Sequence, residues 1–205
     1  MIAVIDYGVG NLFSLCSSLK SLGADVAVTA DPALIRAADR LILPGVGAFA
    51  DAADKLRSSG MDRLIVEQAA DGKPLMGICL GMQLLFEKSE EYGEHAGLGL
   101  LHGRVVPMAG RIPAGLKIPH IGWNALHFTR KSPLFRHIRE NDCVYFVHSY
   151  YAADCEDSVI ATAEYGIELT AAVQKNNILG CQFHPEKSGR VGLAILRAFC
   201  EGAAV

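Results

Sequence analysis

Three short segments of this chain carry side chains suited to nucleophilic chemistry. The first is Gly77-Ile78-Cys79-Leu80-Gly81, a thiol between glycines, with an apolar run before it and a helical pattern after it. That is the setting of a nucleophile elbow, a tight strand-to-helix turn that holds the nucleophile in a strained backbone conformation. Glycine suits both flanks because a Cβ there would crowd the turn or the substrate. The turn also sets the sulfur at the N-terminus of the next helix, where the dipole favours thiolate over thiol. Taken alone, the same pattern fits a core cysteine in a packed turn. The second segment is Phe183-His184-Pro185-Glu186. Read as extended chain, residues two apart share a face, so Glu186 lies beside His184. A carboxylate there fixes the imidazole tautomer and stabilises the imidazolium formed when His184 takes the thiol proton. In isolation this is a surface histidine with a nearby glutamate; beside an elbow cysteine it is a base with its orienting group.

The third segment, Pro44-Gly45-Val46-Gly47, is a glycine-rich loop after a strand. The Leu80 amide is the natural first donor to an oxyanion, and the amides of Val46 and Gly47 offer the second. Without the other two segments it is simply a turn into a helix. One oxyanion donor is worth about 3–4 kcal/mol in a comparable enzyme, so loop geometry would gate turnover and a partner that rearranges the loop would switch it on. Gln83 stands one helical turn beyond Cys79 on the same face, placed to bond a polar substrate or serving as an ordinary helix residue.

Other residues point elsewhere less well. Gly8-Val9-Gly10-Asn11-Leu12-Phe13 follows a strand, with Asp31 about 20 residues on, as a dinucleotide fingerprint asks. Phe13 replaces the third glycine, however, and Asp31 is explained as a helix cap. The histidines share no metal-ligand spacing, so no metal is expected. The six cysteines form no C-x-x-C pair and fit reduced, mostly buried side chains. Cys181, three residues before His184, is a second thiol that would complicate labelling but lacks an elbow. A formal net charge of -3 gives no basic excess for nucleic acid. No apolar run approaches the ~20 residues of a membrane span, and no signal peptide is visible, so a cytoplasmic protein is expected.

Positioning these segments falls to alternating strands and helices. Ile2–Ile5, Val26–Val28, Leu41–Leu43 and Leu75–Ile78 read as strands. Leucines 12, 15, 19 and 22 fall at helical spacing, Asp31-Pro32 opens a short helix, and Leu80 to Phe86 reads as helix. The pattern predicts an α/β fold with a largely parallel sheet covered by helices on both faces. From Gly97 to Ala172 strands succeed one another without long helices between them (Gly103–Met108, Trp123–Phe128, Val144–Val147, Val159–Ala163), which predicts antiparallel additions to the sheet. A strand Ile178–Phe183 and a helix from about Arg190 to Cys200 close a single domain spanning 1–205. Pro44–Gly47, Cys79 and His184 each come directly after a strand, so all three are expected at one sheet edge.

With these residues in hand, the chain resembles the class I, triad-type glutamine amidotransferases nearly end to end, and within them the glutaminase subunits of imidazole glycerol phosphate synthases. The resemblance is carried by Ile5-Asp6-Tyr7-Gly8, Pro44 to Phe49, Gly77 to Glu87, Pro119 to Asn124, Phe146 to Tyr151 and Gln182 to Ser188. It implies a flavodoxin-like core, no bound cofactor, and Cys79, His184 and Glu186 as catalytic triad. By position it assigns L-glutamine binding to Gly47, Gln83, Glu91, Ser149 and Tyr150, and partner-facing places to Asn11, Trp123, Asn124 and Lys187. It implies a heterodimer with a (β/α)8-barrel cyclase, which takes the ammonia to make imidazole glycerol phosphate and aminoimidazole carboxamide ribonucleotide. The residues themselves leave open an amidotransferase serving another synthase, a partner-free cysteine peptidase or γ-glutamyl hydrolase, and a non-catalytic nucleotide-binding module.

Overall fold

The structure, a computed structural model, describes residues 1–202. Its elements run β1 (Ile2–Ile5), α1 (Leu12–Ser21), β2 (Val26–Thr29), α2 (Pro32–Ala37), β3 (Arg40–Leu43), α3 (Phe49–Ser58), α4 (Met61–Ala70), β4 (Leu75–Ile78) and α5 (Leu80–Gln83). They continue with β5 (Phe86–Ser89), β6 (His95–Ala96), β7 (Leu101–Pro107), β8 (His120–Ala125), β9 (His127–Phe128), β10 (Cys143–His148) and β11 (Tyr150–Ala153). The last are β12 (Val159–Glu164), β13 (Glu168–Lys175), β14 (Ile178–Cys181) and α6 (Gly189–Cys200).

The main sheet has the order β2-β1-β3-β4-β14-β13-β12-β9. The first five strands are parallel and the last three antiparallel. Strands β1, β4 and β14 are buried at every residue, which is why they read as unbroken apolar runs. Alternate side chains feed two cores. Val4, Ile42, Met76 and Leu179 meet Leu15 and Leu19 of α1 and Ile195 and Phe199 of α6. Ala3, Ile5, Leu41, Leu43 and Leu75 meet Ile35 of α2, Phe49 and Leu56 of α3, and Leu64 and Ile65 of α4.

The expected antiparallel additions divide among three sheets. Strands β9, β12 and β13 extend the main sheet, whereas β10 pairs with β8 and the set β11-β7-β5-β6 makes a separate sheet. The helix expected over Leu80 to Phe86 stops at Gln83, and Phe86 opens β5 beside β7. Leu84, Leu85 and Phe86 are wholly buried, so no periodicity distinguishes helix from strand there. Asp31 caps α2 as expected: its side chain accepts the Ala33 amide at 2.8 Å. No helix among the described residues is long and apolar enough to cross a membrane.

Candidate active site

The neighbouring strands β3, β4 and β14 end side by side, and the segments just beyond their ends form the site. Cys79 leaves β4 with φ 55° and ψ -115°, a conformation that costs a non-glycine residue about 1–3 kcal/mol. Its own backbone holds it there. The Cys79 amide donates to the Cys181 carbonyl at 2.8 Å, and the Cys79 carbonyl accepts from Met82 and Gln83 at 3.0 and 3.2 Å. The flanking glycines are needed by the turn and the strand beside it. A Cβ on Gly77 would lie 2.6 Å from the Gly81 carbonyl oxygen, and one on Gly81 would fall on the Leu43 carbonyl of β3. A Cβ on Gly45 would come within 2.7 Å of the Gly81 amide nitrogen, so the glycine-rich loop packs directly on the elbow. Gly81→Ala is therefore expected to exceed the ~1–3 kcal/mol of ordinary overpacking, seen as lost cooperative melting or insoluble expression. A variant melting with the wild type would show that the two segments do not meet this closely.

His184 lies just beyond β14, its amide donating to the Tyr145 carbonyl of β10 at 3.0 Å. The Ser188 hydroxyl donates to the His184 carbonyl at 2.7 Å and accepts the Tyr145 amide at 2.9 Å, clamping this segment to β10. The geometry differs from the extended chain expected: Pro185–Lys187 is a 3₁₀ turn. The turn still brings Glu186 Oε1 to 2.8 Å from His184 Nδ1, with both side chains buried. The imidazole and the Cys79 sulfur line the same cavity and interact. Burial alone would lower the His184 pKa; the interactions with Cys79 and Glu186 outweigh it and raise it to about 9. Glu186 Oε2 is buried without a hydrogen-bond partner.

A cavity of about 540 Å³ opens over the sulfur, a size usual for small-molecule sites. Val46, Gly47, Cys79, Leu80, Gln83, Glu91, Ser149, Tyr150, His184 and Lys187 line it, joined by Tyr92, Ile118, Pro119 and His148. The Leu80 amide is the first of α5 and has no carbonyl four residues back in its helix to bond. Gly47 takes φ +96°, open to glycine. Two lining residues also do structural work. Glu91 Oε2 accepts the Phe49 amide at 2.6 Å, capping α3, whose own N-cap Ala48 has no acceptor side chain. Gln83 donates Nε2 hydrogens to the Tyr150 carbonyl (3.1 Å) and Gln182 Oε1 (2.9 Å), leaving its own carbonyl oxygen for the cavity.

The other residues singled out lie outside the cavity. Glu186 stands behind His184. Asn11 caps α1, accepting the Ser14 amide, and borders a small hollow with Val46, His184 and Glu186. Trp123 is half exposed on β8, edge-on to Tyr145. Asn124 joins His120 Nε2 (2.8 Å) to the Glu164 carbonyl (2.8 Å). Sequence reasoning missed three residues. Gln182 donates Nε2–H to Cys79 Sγ at 3.7 Å. His148 bonds the Tyr150 carbonyl at 2.9 Å, and burial lowers its pKa to about 3, so it stays neutral. His120 lies 3.1 Å from His148. No local motif marks the contacts that bring them together: His120 and His148 are 28 residues apart, and Gln182 and Cys79 are 103 apart. Cys181 is fully buried, which raises its thiol pKa well above the usual range. Among the described residues no group of three or more His, Cys, Asp or Glu side chains is placed to hold a metal ion.

The sequence matches the family model for glutamine amidotransferase class-I over residues 3–202. The chain belongs to that family. Proteins similar to this class-I amidotransferase include the imidazole glycerol phosphate synthase subunit HisH of Moorella thermoacetica, 53% identical over 201 residues, covering 98% of this chain and 94% of that one. The subunit HisH of Wolinella succinogenes is 48% identical over 203 residues, with 98% and 99% covered. That of Bacillus velezensis is 51% identical over 207 residues, with 100% and 97% covered. A solved glutamine amidotransferase overlays the whole amidotransferase chain with a TM-score of 0.77 at 20% identity, each chain fully covered. PurLQS from Thermotoga maritima does so at 0.76 and 20%, over 98% and 97% of the two chains. These two likenesses speak for the fold.

Proposed function

We propose that this chain is the glutamine amidotransferase subunit of an imidazole glycerol phosphate synthase, a single domain that hydrolyses L-glutamine and delivers the ammonia to a cyclase subunit. The observation that carries the chemistry is the meeting of a thiol, an imidazole and a buried carboxylate at the ends of adjacent strands, over one cavity. Identity near 50% along almost the whole chain to synthase subunits supports the choice of synthase.

In this reading the Cys79 thiolate attacks the side-chain amide carbon of glutamine. The carbonyl oxygen gains the charge and is met by the Leu80 amide and by Val46 and Gly47 of the loop. The imidazolium of His184 protonates the departing ammonia as the C–N bond breaks, leaving a glutamyl thioester. His184 then takes a proton from water, hydroxide adds to the thioester, and glutamate leaves as the sulfur departs. Glu186 keeps Nδ1 protonated and Nε2 facing the sulfur throughout. Gln83, Glu91, Ser149 and Tyr150 surround the amino-acid end of the substrate. No bound cofactor enters.

The partner is a cytoplasmic (β/α)8-barrel cyclase, and the face that meets it holds Asn11, Trp123, Asn124 and Lys187. Ile118, Ile121 and Trp123 are large apolar side chains exposed on and just before β8, and Ile118 also lines the cavity, as an interface core requires. The test is reconstitution. The chain mixed with a cyclase should form imidazole glycerol phosphate from glutamine, and Trp123→Ala should weaken assembly at least ~100-fold, as central aromatic residues do. Glutamine-dependent product that needs a different synthase would overturn the assignment.

A further inference from the structure

The four-residue helix α5 is too short to supply much of the dipole that an elbow nucleophile usually leans on. Side-chain donors around the sulfur must do more. One is His184. The other is Gln182, which is completely buried and lies outside the substrate cavity. Its Nε2 is 3.7 Å from Cys79 Sγ.

The direction of that amide is set by its neighbours. The Tyr150 carbonyl accepts only, so Gln83 must turn its NH₂ group towards it. The second hydrogen of the same nitrogen then points to Gln182, which must answer with Oε1. The NH₂ of Gln182 is thereby left on the sulfur side. The main chains are pinned too: the Gln182 amide donates to Ala171 and the Cys79 amide to Cys181, each at 2.8 Å. An amide hydrogen fixed in this way stabilises an anionic sulfur more than a neutral one.

We propose that Gln182 is a positioning residue for the nucleophile: its Nε2–H donates to the Cys79 sulfur, favouring and orienting the thiolate, and Gln83 holds that donor in the right sense. The inference rests on the reading of Cys79 as the nucleophile.

The experiment is alkylation of the full-length chain with iodoacetamide between pH 5 and 10, followed peptide by peptide by mass spectrometry. The exposed Cys143 serves as internal reference. Gln182→Met keeps the volume and removes the donor. The rising limb of the Cys79 profile should move up by about one pH unit, so that alkylation on that limb slows ~10-fold, with Cys143 unchanged. Gln182→Glu sets acceptors against the sulfur and should move the limb further. In glutamate-release assays kcat should fall ~10-fold with KM within ~2-fold, because Gln182 does not face the substrate. A packing role alone would lower melting temperature and leave the Cys79 limb in place, and that result overturns the proposal. Should both variants fail to fold, the wild-type chain labelled with [¹⁵N]glutamine decides. The Gln182 side-chain amide resonances should shift as pH rises through the Cys79 limb and stay still in Cys79→Ala; resonances that do not move in the wild type overturn it equally. If alkylation of Cys79 left glutamate release intact, the nucleophile reading itself would fall. Inactivation with an unmoved limb would remove only the role of Gln182.

Discussion

Replacing Cys79 with alanine is expected to lower glutamate release by at least ~10⁴-fold, because residues that act as one catalytic unit lose nearly everything when the nucleophile is removed. The cyclase complex should keep its product formation when ammonium salt replaces glutamine, since no atom of Cys79 is asked to act on that substrate. The loss should also be non-additive. His184→Ala alone should cost a comparable factor, and Cys79→Ala with His184→Ala together should be scarcely worse than either, because imidazole without the sulfur has no proton to move. Folding is a separate readout. Cys79 occupies a left-handed backbone position where alanine is no easier to hold than cysteine, so melting temperature should change little. Glutamate release surviving in Cys79→Ala at more than a hundredth of the wild-type rate would eliminate the thioester route.

Much of this was readable from the chain because β1, β4 and β14 of the parallel half are buried at every residue and read as unbroken apolar runs. Ile2–Ile5 and Leu75–Ile78 stand in the structure where the apolar runs set them. Gly77 and Gly81 flanking Cys79 answer to contacts with the turn and β3, so the spacing reported real steric demand. The second half was less legible because strand pairing there is non-local. Nothing in Phe86–Ser89 announces that it will lie beside β7, and nothing in Cys143–His148 announces β8. The site shows the same division. Cys79 and the pair His184–Glu186 carry local signatures. Gln182 meets Cys79 and Gln83, and His120 meets His148, only because the fold brings distant segments together. Glu91 shows how one residue serves two demands, since its carboxylate caps α3 and lines the cavity.

Glu186→Gln is expected to reduce kcat/KM about 10³- to 10⁴-fold, comparable to the effect of neutralising the orienting carboxylate in a serine peptidase. An amide at this position is free to donate to His184 Nδ1, which forces the neutral ring's proton onto Nε2, the nitrogen that must accept from the sulfur. The pH dependence gives a sharper test. In the wild type the His184 pKa is raised to about 9, so the imidazolium proposed to protonate ammonia is present up to that pH, and thioester formation should decline above it. Glu186 contributes to that raised value, so Glu186→Gln should draw the basic limb of the single-turnover profile towards neutral pH. Stability changes with the same sign. A group whose pKa is higher in the folded than in the unfolded state stabilises fully below the unfolded value, near 6.5, and loses the contribution as pH rises through about 9. The melting difference between wild type and Glu186→Gln should thus be greatest below pH ~6.5 and shrink towards pH ~9. Because Glu186 Oε2 has no partner, the substitution breaks no second hydrogen bond that would blur this comparison. A variant whose basic limb stays at the wild-type position would show that the carboxylate does not hold the imidazolium, and the base would then have to be oriented by the Cys79 sulfur alone.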